Sequence, residues 1–184
     1  HMKELMPNFN DLDWSLPTNI DVAGECNAFY DGQSINFYDV GGGCNATSLI
    51  ADVVWHEYGH GINGYFYNSL NAGFNNGAMN EGYADLWAMS LGDIAEIGKG
   101  FYTDNEDGIR VYDEDPKVYP EDLVGEVHAD GEIICGAWYD THLLMGGDWD
   151  ATMALFIDAY PGLQATAPNG SEGQAYTDVL LDVL

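Results

Sequence analysis

The spacing of apolar and polar residues divides the chain into a short β-rich opening and a longer helical body. Residues 1–25 carry Pro7, Asp11, Asp13, Pro17 and Asn19 with no sustained period, so they read as an extended lead-in. Two short apolar runs follow, over 28–30 and 34–38, on either side of Asp31-Gly32-Gln33. This is a hairpin pattern in which glycine accepts a positive φ. Gly41, Gly42 and Gly43 end the second run. From Ser48 to about Ile62, the residues Leu49, Ile50, Val53, Val54 and Ile62 recur at helical spacing, with Asn45, Thr47 or Ser48 available to cap. A polar, glycine-rich loop over 68–76 leads to a second helical pattern over about 79–91, with Tyr83 a core residue. A third helix is expected over about 132–145, stopped by Gly146-Gly147, with Ile133, Ala137, Trp138 and Leu144 facing inward. Helices over 150–160 and from 171 onward close the chain, and residues 103–126 read as an irregular acidic stretch. The pattern predicts an α+β fold, mostly helical, with a small N-terminal hairpin and edge strand. The folded domain is expected over 26–184.

Charge narrows the choice of partners. Acidic residues number 31 against 4 basic ones, a formal charge of −27, so phosphate-rich surfaces are repelled and neither nucleic acid nor an anionic membrane is expected to bind. No apolar run approaches the roughly 20 residues that cross a bilayer. With 184 residues and 46% hydrophobic content the chain can bury a core, and a monomer is expected. His1 and Met2 resemble the remnant of a cleaved tag, and the last residues stop within an apolar run, so the sequence reads as an excised piece of a longer parent. Three cysteines cannot all pair. Cys26 and Cys44 flank the hairpin, where a bridge would close a loop worth about 3 kcal/mol and point to an oxidising compartment. Cys135, within an apolar stretch, reads as a buried inert thiol.

The chemistry concentrates in His56-Glu57-Tyr58-Gly59-His60. Two histidines four apart on a helix face one side and can share a zinc ion. A glutamate beside them can take a proton from water that zinc has acidified to a pKa of about 7. The bland alternative is a helix that happens to carry two histidines. A hydrolytic zinc site takes three protein ligands, and Glu81, opening the second helix, is placed to be the third. Asp85, one turn on, can accept the other N–H of a ligand histidine.

The run His56-Glu57-x-x-His60 followed by Asn80-Glu81-Gly82-Tyr83-Ala84-Asp85 resembles the gluzincin pattern of the thermolysin and fungalysin peptidases. Three further segments extend the resemblance. Asn27-Ala28-Phe29-Tyr30-Asp31-Gly32 is similar to the edge strand with which such enzymes pair a substrate backbone, which makes Asn27 and Ala28 contacts. Val127-His128-Ala129-Asp130-Gly131-Glu132 is similar to the segment whose histidine bonds the oxyanion, which gives His128 that role. Arg110 resembles the arginine that grips the substrate carbonyl on the leaving-group side. Its alternative is a structural ion pair with Asp113 or Glu114.

Wording such as Gly42-Gly43-Cys44 and His56-Glu57-Tyr58-Gly59-His60-Gly61 looks closer to fungalysin than to thermolysin. The resemblance implies a secreted zinc endopeptidase that cleaves peptides or proteins, with Glu57 as general base. Calcium is a second expected metal, through Asp52, Asp93 or the cluster Asp104 to Asp107. Two departures stand out. The β-rich lobe ahead of the edge strand is nearly absent. The loop before Glu81 has Phe74 where the family has a tyrosine that donates to the oxyanion, while Tyr65 and Tyr67 lie on the wrong side of it. His142 reads as structural. Two rival functions remain: a zinc aminopeptidase using the same ligands, and a metal-binding or adhesion module that has lost activity.

Overall fold

In a computed structural model of the protein, residues 2–184 are described, and His1, read as tag remnant, lies outside them. The fold is α+β and mostly helical. The chain runs α1 (Met2–Leu5), β1 (Thr18–Val22), β2 (Ala28–Tyr30), β3 (Ile35–Tyr38), α2 (Ala51–Ser69), α3 (Gly77–Gly92), β4 (Glu96–Ile97), β5 (Arg110–Val111), α4 (Val127–Leu144), α5 (Trp149–Ala159) and α6 (Glu172–Asp182).

The segment ahead of Cys26 is more structured than an extended lead-in. Its apolar residues Met6, Phe9 and Leu12 are buried in the main core, and β1 lies parallel to β3. β2 pairs antiparallel with β3 as a hairpin, so the sheet order β1-β3-β2 leaves β2 on an edge. In the turn, Asp31 accepts from the backbone N–H groups of Gln33 and Ser34. The Cys26–Cys44 disulfide ties the start of this hairpin to the loop after it. Cys44 sits in a small core with Ile35, Phe37, Val53 and Phe101. Cys135 is free and buried, and burial pushes its thiol well above the usual range.

Every residue of α3 from Gly82 to Ser90 is buried, as expected of a helix at the centre of a domain. Asn76 caps it by accepting from Met79 N–H, and Asp93, in the left-handed conformation, ends it. α2 and α4 flank it at close range. A Cβ on Gly59 of α2 would stand 2.9 Å from Ala84 Cα, and one on Gly82 would stand 2.5 Å from the Gly131 carbonyl oxygen of α4. Glycine at these points lets the three helices approach to backbone contact.

α2 runs on to Ser69, past the expected end near Ile62, because Asn63 and Tyr67 continue the buried stripe. α4 begins at Val127 rather than near 132, since the Glu126 carboxylate caps it by accepting from Ala129 N–H. Its inward face also differs. Leu144 is 87% exposed and Ala137 faces solvent, while Ile134 and Cys135 join Ile133 and Trp138 inside. The stretch read as irregular contains β5, which pairs with β4.

Candidate metal centre

α2 presents His56 and His60 one turn apart, with ring centroids 4.6 Å from each other. Glu81 of α3 faces them: its Oε2 lies 3.3 Å from His56 Nε2, and its Oε1 lies 3.6 Å from His60 Nε2. One donor atom from each of the three residues falls within 4.8 Å of the others, so the group can hold a metal ion.

The far sides of both rings are fixed. His56 Nδ1 lies 2.5 Å from Asp85 Oδ1, and His60 Nδ1 lies 3.1 Å from Asn80 Oδ1. With Nδ1–H donated to these oxygens, each ring turns its Nε2 toward Glu81. Asp85 also accepts from Arg110 Nε at 2.5 Å, from Arg110 Nη2 at 2.7 Å and from the Tyr112 hydroxyl at 2.5 Å. Asn80 is held by Asn63, whose own oxygen receives Trp87 Nε1 and the Tyr160 hydroxyl.

Glu57, Glu81 and Asp85 face one fixed cation, Arg110. Burial opposes ionisation of Asp85, yet Arg110 and His56 hold it well below the usual carboxylate range. Burial likewise opposes charge on His56, but Asp85 and Glu81 raise it to about 10. Burial and the neighbouring His56 charge then push His60 down to about 4. Glu81 overcomes its own burial through His56 and His60 and falls to about 2. Burial lifts Glu57 to about 7.

Two buried oxygens, Glu57 Oε2 and Glu81 Oε2, have no hydrogen-bond partner. Glu81 Oε2 lies 3.3 Å from His56 Nε2, and a cation bound between them would displace the proton that His56, with its raised pKa, carries there. Paired imidazoles and orphaned carboxylate oxygens fit a divalent cation, and the nitrogen-rich donor set suits zinc.

The group lies in a cleft of about 500 Å³ whose wall includes Asn27 and the β2 strand that follows it. Tyr38 N–H donates to the Asn27 carbonyl, and Asp31 N–H donates to the Ser34 carbonyl. By the alternation of an antiparallel ladder, the N–H and C=O groups of Ala28 and Tyr30 face the open edge. The Asn27 carbonyl is therefore engaged, and this residue offers the cleft its exposed side chain. Val53, Ile97, Phe101 and Ile109 supply the apolar lining. His128 lies at the rim, half exposed, with Nδ1 2.8 Å from Glu126 Oε1 and Nε2 3.5 Å from Glu81 Oε2.

Arg110 also lines the cleft, but its ion pair is with Asp85 rather than Asp113 or Glu114. Tyr112 and Asn80 were not singled out in the sequence. The strand alternation that puts residue 112 on the face of residue 110 is the signal that marks Tyr112. Phe74 packs on Tyr67 and Tyr83, and the tyrosines that do line the cleft are Tyr30 and Tyr102. His142 is buried and stacks on Trp149 at 3.8 Å.

The expected calcium ligands do not converge. Among the described residues no second group of three histidine, cysteine or carboxylate donors comes together, and Asp52 is occupied by the Val53 and Gly98 N–H groups.

No protein-family model matches this sequence, and no curated protein does. Among solved structures, the chain is similar to the precursor of protealysin, a metalloproteinase from Serratia proteamaculans, with a TM-score of 0.61 and 18% sequence identity. The match covers 85% of this chain and 63% of that one. At this identity the likeness is one of fold. The fold is shared with a metalloproteinase precursor, and it carries a His-His-Glu group able to hold a metal.

Proposed function

We propose that the protein is a secreted, monomeric zinc endopeptidase of the thermolysin-like gluzincin type, nearest the fungalysins by its motif wording, with its site residues all within 26–184. The observation that carries this reading is the convergence of His56, His60 and Glu81 beside Glu57, whose Oε2 has no hydrogen-bond partner, in a cleft walled by an open strand edge. The disulfide supports an extracellular setting.

Zinc held by His56, His60 and Glu81 would polarise the scissile carbonyl and acidify a water. An extended peptide pairs with the outward backbone groups of Ala28 and Tyr30, with the Asn27 side chain against it. Glu57 accepts a proton from the attacking water and returns it to the departing amine nitrogen. His128 donates a hydrogen bond to the carbonyl oxygen as charge builds there, with Glu126 holding its other nitrogen. Arg110, with Nε and Nη2 bound to Asp85, offers Nη1 to the carbonyl on the leaving-group side.

Glu57→Gln is expected to keep one zinc per chain by metal analysis and to lose cleavage of an end-blocked peptide. His56→Ala is expected to lose the metal. Substantial hydrolysis by Glu57→Gln would refute the base assignment. Cleavage only of peptides with a free amino terminus would favour the aminopeptidase, and zinc binding without turnover of casein would favour the inactive module.

A further inference from the structure

Beyond the packing of β2 on α2, the strand edge and the helix carrying the two histidines are linked through a buried hydroxyl. Thr47, fully buried in the turn that leads into α2, places its Oγ1 2.9 Å from the Asn27 carbonyl and 3.4 Å from the Tyr38 carbonyl. Asn27 directly precedes β2, and the chain passes from Thr47 through a single 3₁₀ turn into the helix that carries His56, Glu57 and His60. The neighbouring residue Cys26 is tied covalently to Cys44 on the same incoming loop. On the far side of that loop, Asn45 Nδ2 donates to the Gly100 and Tyr102 carbonyls, and Cys44 bridges to Tyr102, so the wall bearing Phe101 and Tyr102 hangs from it as well.

We infer that Thr47 is a positioning residue for substrate, its hydroxyl fixing the height of the open Ala28–Tyr30 edge relative to the His56–His60 pair. A hydroxyl proton donated to the shorter contact gives the Asn27 carbonyl a second donor beside Tyr38 N–H. That carbonyl cannot then swing toward the cleft, and Ala28, the next residue along the edge, inherits a fixed setting. Binding in extended form depends on this setting because backbone hydrogen bonds weaken steeply with misalignment. The Cys26–Cys44 bridge holds the segment in place overall but allows rotation about the peptide that Thr47 restrains. Losing the hydroxyl therefore loosens the edge without detaching the strand.

This inference rests on the reading of the cleft as a peptide site, and its test separates the two. Thr47→Val removes the hydroxyl at nearly constant shape, and Thr47→Ser keeps it. For an end-blocked peptide spanning the cleft, Thr47→Val is expected to raise KM about 5- to 20-fold, with kcat and zinc content within about two-fold of wild type. Thr47→Ser is expected to restore KM. In the Glu57→Gln background, calorimetry should show the same loss of affinity for the uncleaved peptide on adding Thr47→Val. If Thr47→Val does not purify folded, Thr47→Ala meets the same demand in the same assays. Unchanged KM and affinity in a wild-type-active protein would overturn the role of Thr47, as would a joint fall in kcat, zinc content and melting temperature. Absence of both hydrolysis and peptide binding in the zinc-loaded wild type would overturn the peptide reading, and this inference with it.

Discussion

Asp85→Asn is the substitution with the largest expected consequence per atom changed. The carboxylate is 1% exposed and accepts from His56, from two nitrogens of Arg110 and from Tyr112, while the Arg110 side chain is itself only 10% exposed. The amide keeps the shape, removes the charge and turns an NH₂ group toward a donor. Removing one partner of a buried ion pair costs about 3–5 kcal/mol, because the surviving charge stays buried and unpaired. At about 2–4 °C per kcal/mol for a chain of this size, the chelated protein is expected to melt about 6–20 °C lower. Zinc affinity, read by competition with a chromophoric chelator, is expected to fall about 10- to 100-fold as the His56 ring loses its orienting acceptor. Adding Arg110→Met should return part of the lost stability, since the stranded cation is then gone. The reasoning fails if Asp85→Asn melts within about 2 °C of wild type, or if the double variant is less stable than the single one.

Gly82→Ala places a methyl against the Gly131 carbonyl and should force α3 from α4, destabilising by about 1–3 kcal/mol in chemical denaturation and weakening zinc binding through the adjacent Glu81. A mere surface-like change in either quantity would count against the close packing. Replacing Cys26 and Cys44 by serine opens a loop with a sequence separation of 18, and should lower stability by about 3 kcal/mol, measured against the reduced wild type as a control of equal stability. Asp31 has its pKa lowered by the Gln33 and Ser34 N–H groups, so its contribution is present above the ordinary carboxylate pKa and fades as pH falls through the lower folded value. The difference in melting temperature between wild type and Asp31→Asn should therefore be seen at pH 5 and close toward about pH 2, below the ordinary carboxylate range; a gap that persists in acid would exclude this cause.

The helices and the hairpin were legible because their burial follows period and turn chemistry that adjacent residues display. The His56–His60 spacing is of the same local kind. Glu81 and Asp85 could be named because they lie one turn apart on the next helix, but their meeting with His56 depends on Gly59 and Gly82, whose purpose no local pattern reveals. What sequence could not give was long-range pairing. β5 is two residues long, and its partner β4 lies across an acidic loop, so neither has enough alternation to declare itself. β1 was hidden by Pro17 and by polar residues, because an exposed strand paired on one side needs few apolar positions. Arg110 had acidic neighbours in sequence, yet its partner came from α3, where the cost of burying Asp85 makes a cation obligatory.

The position of α3 also bears on how a bound ion would leave. Glu81 belongs to a helix enclosed along most of its length, so fraying at the molecular surface does not reach it. Displacing the Glu81 backbone therefore requires α3 to leave the core, whereas its side chain, which lines the cleft wall, can turn aside with the helix in place.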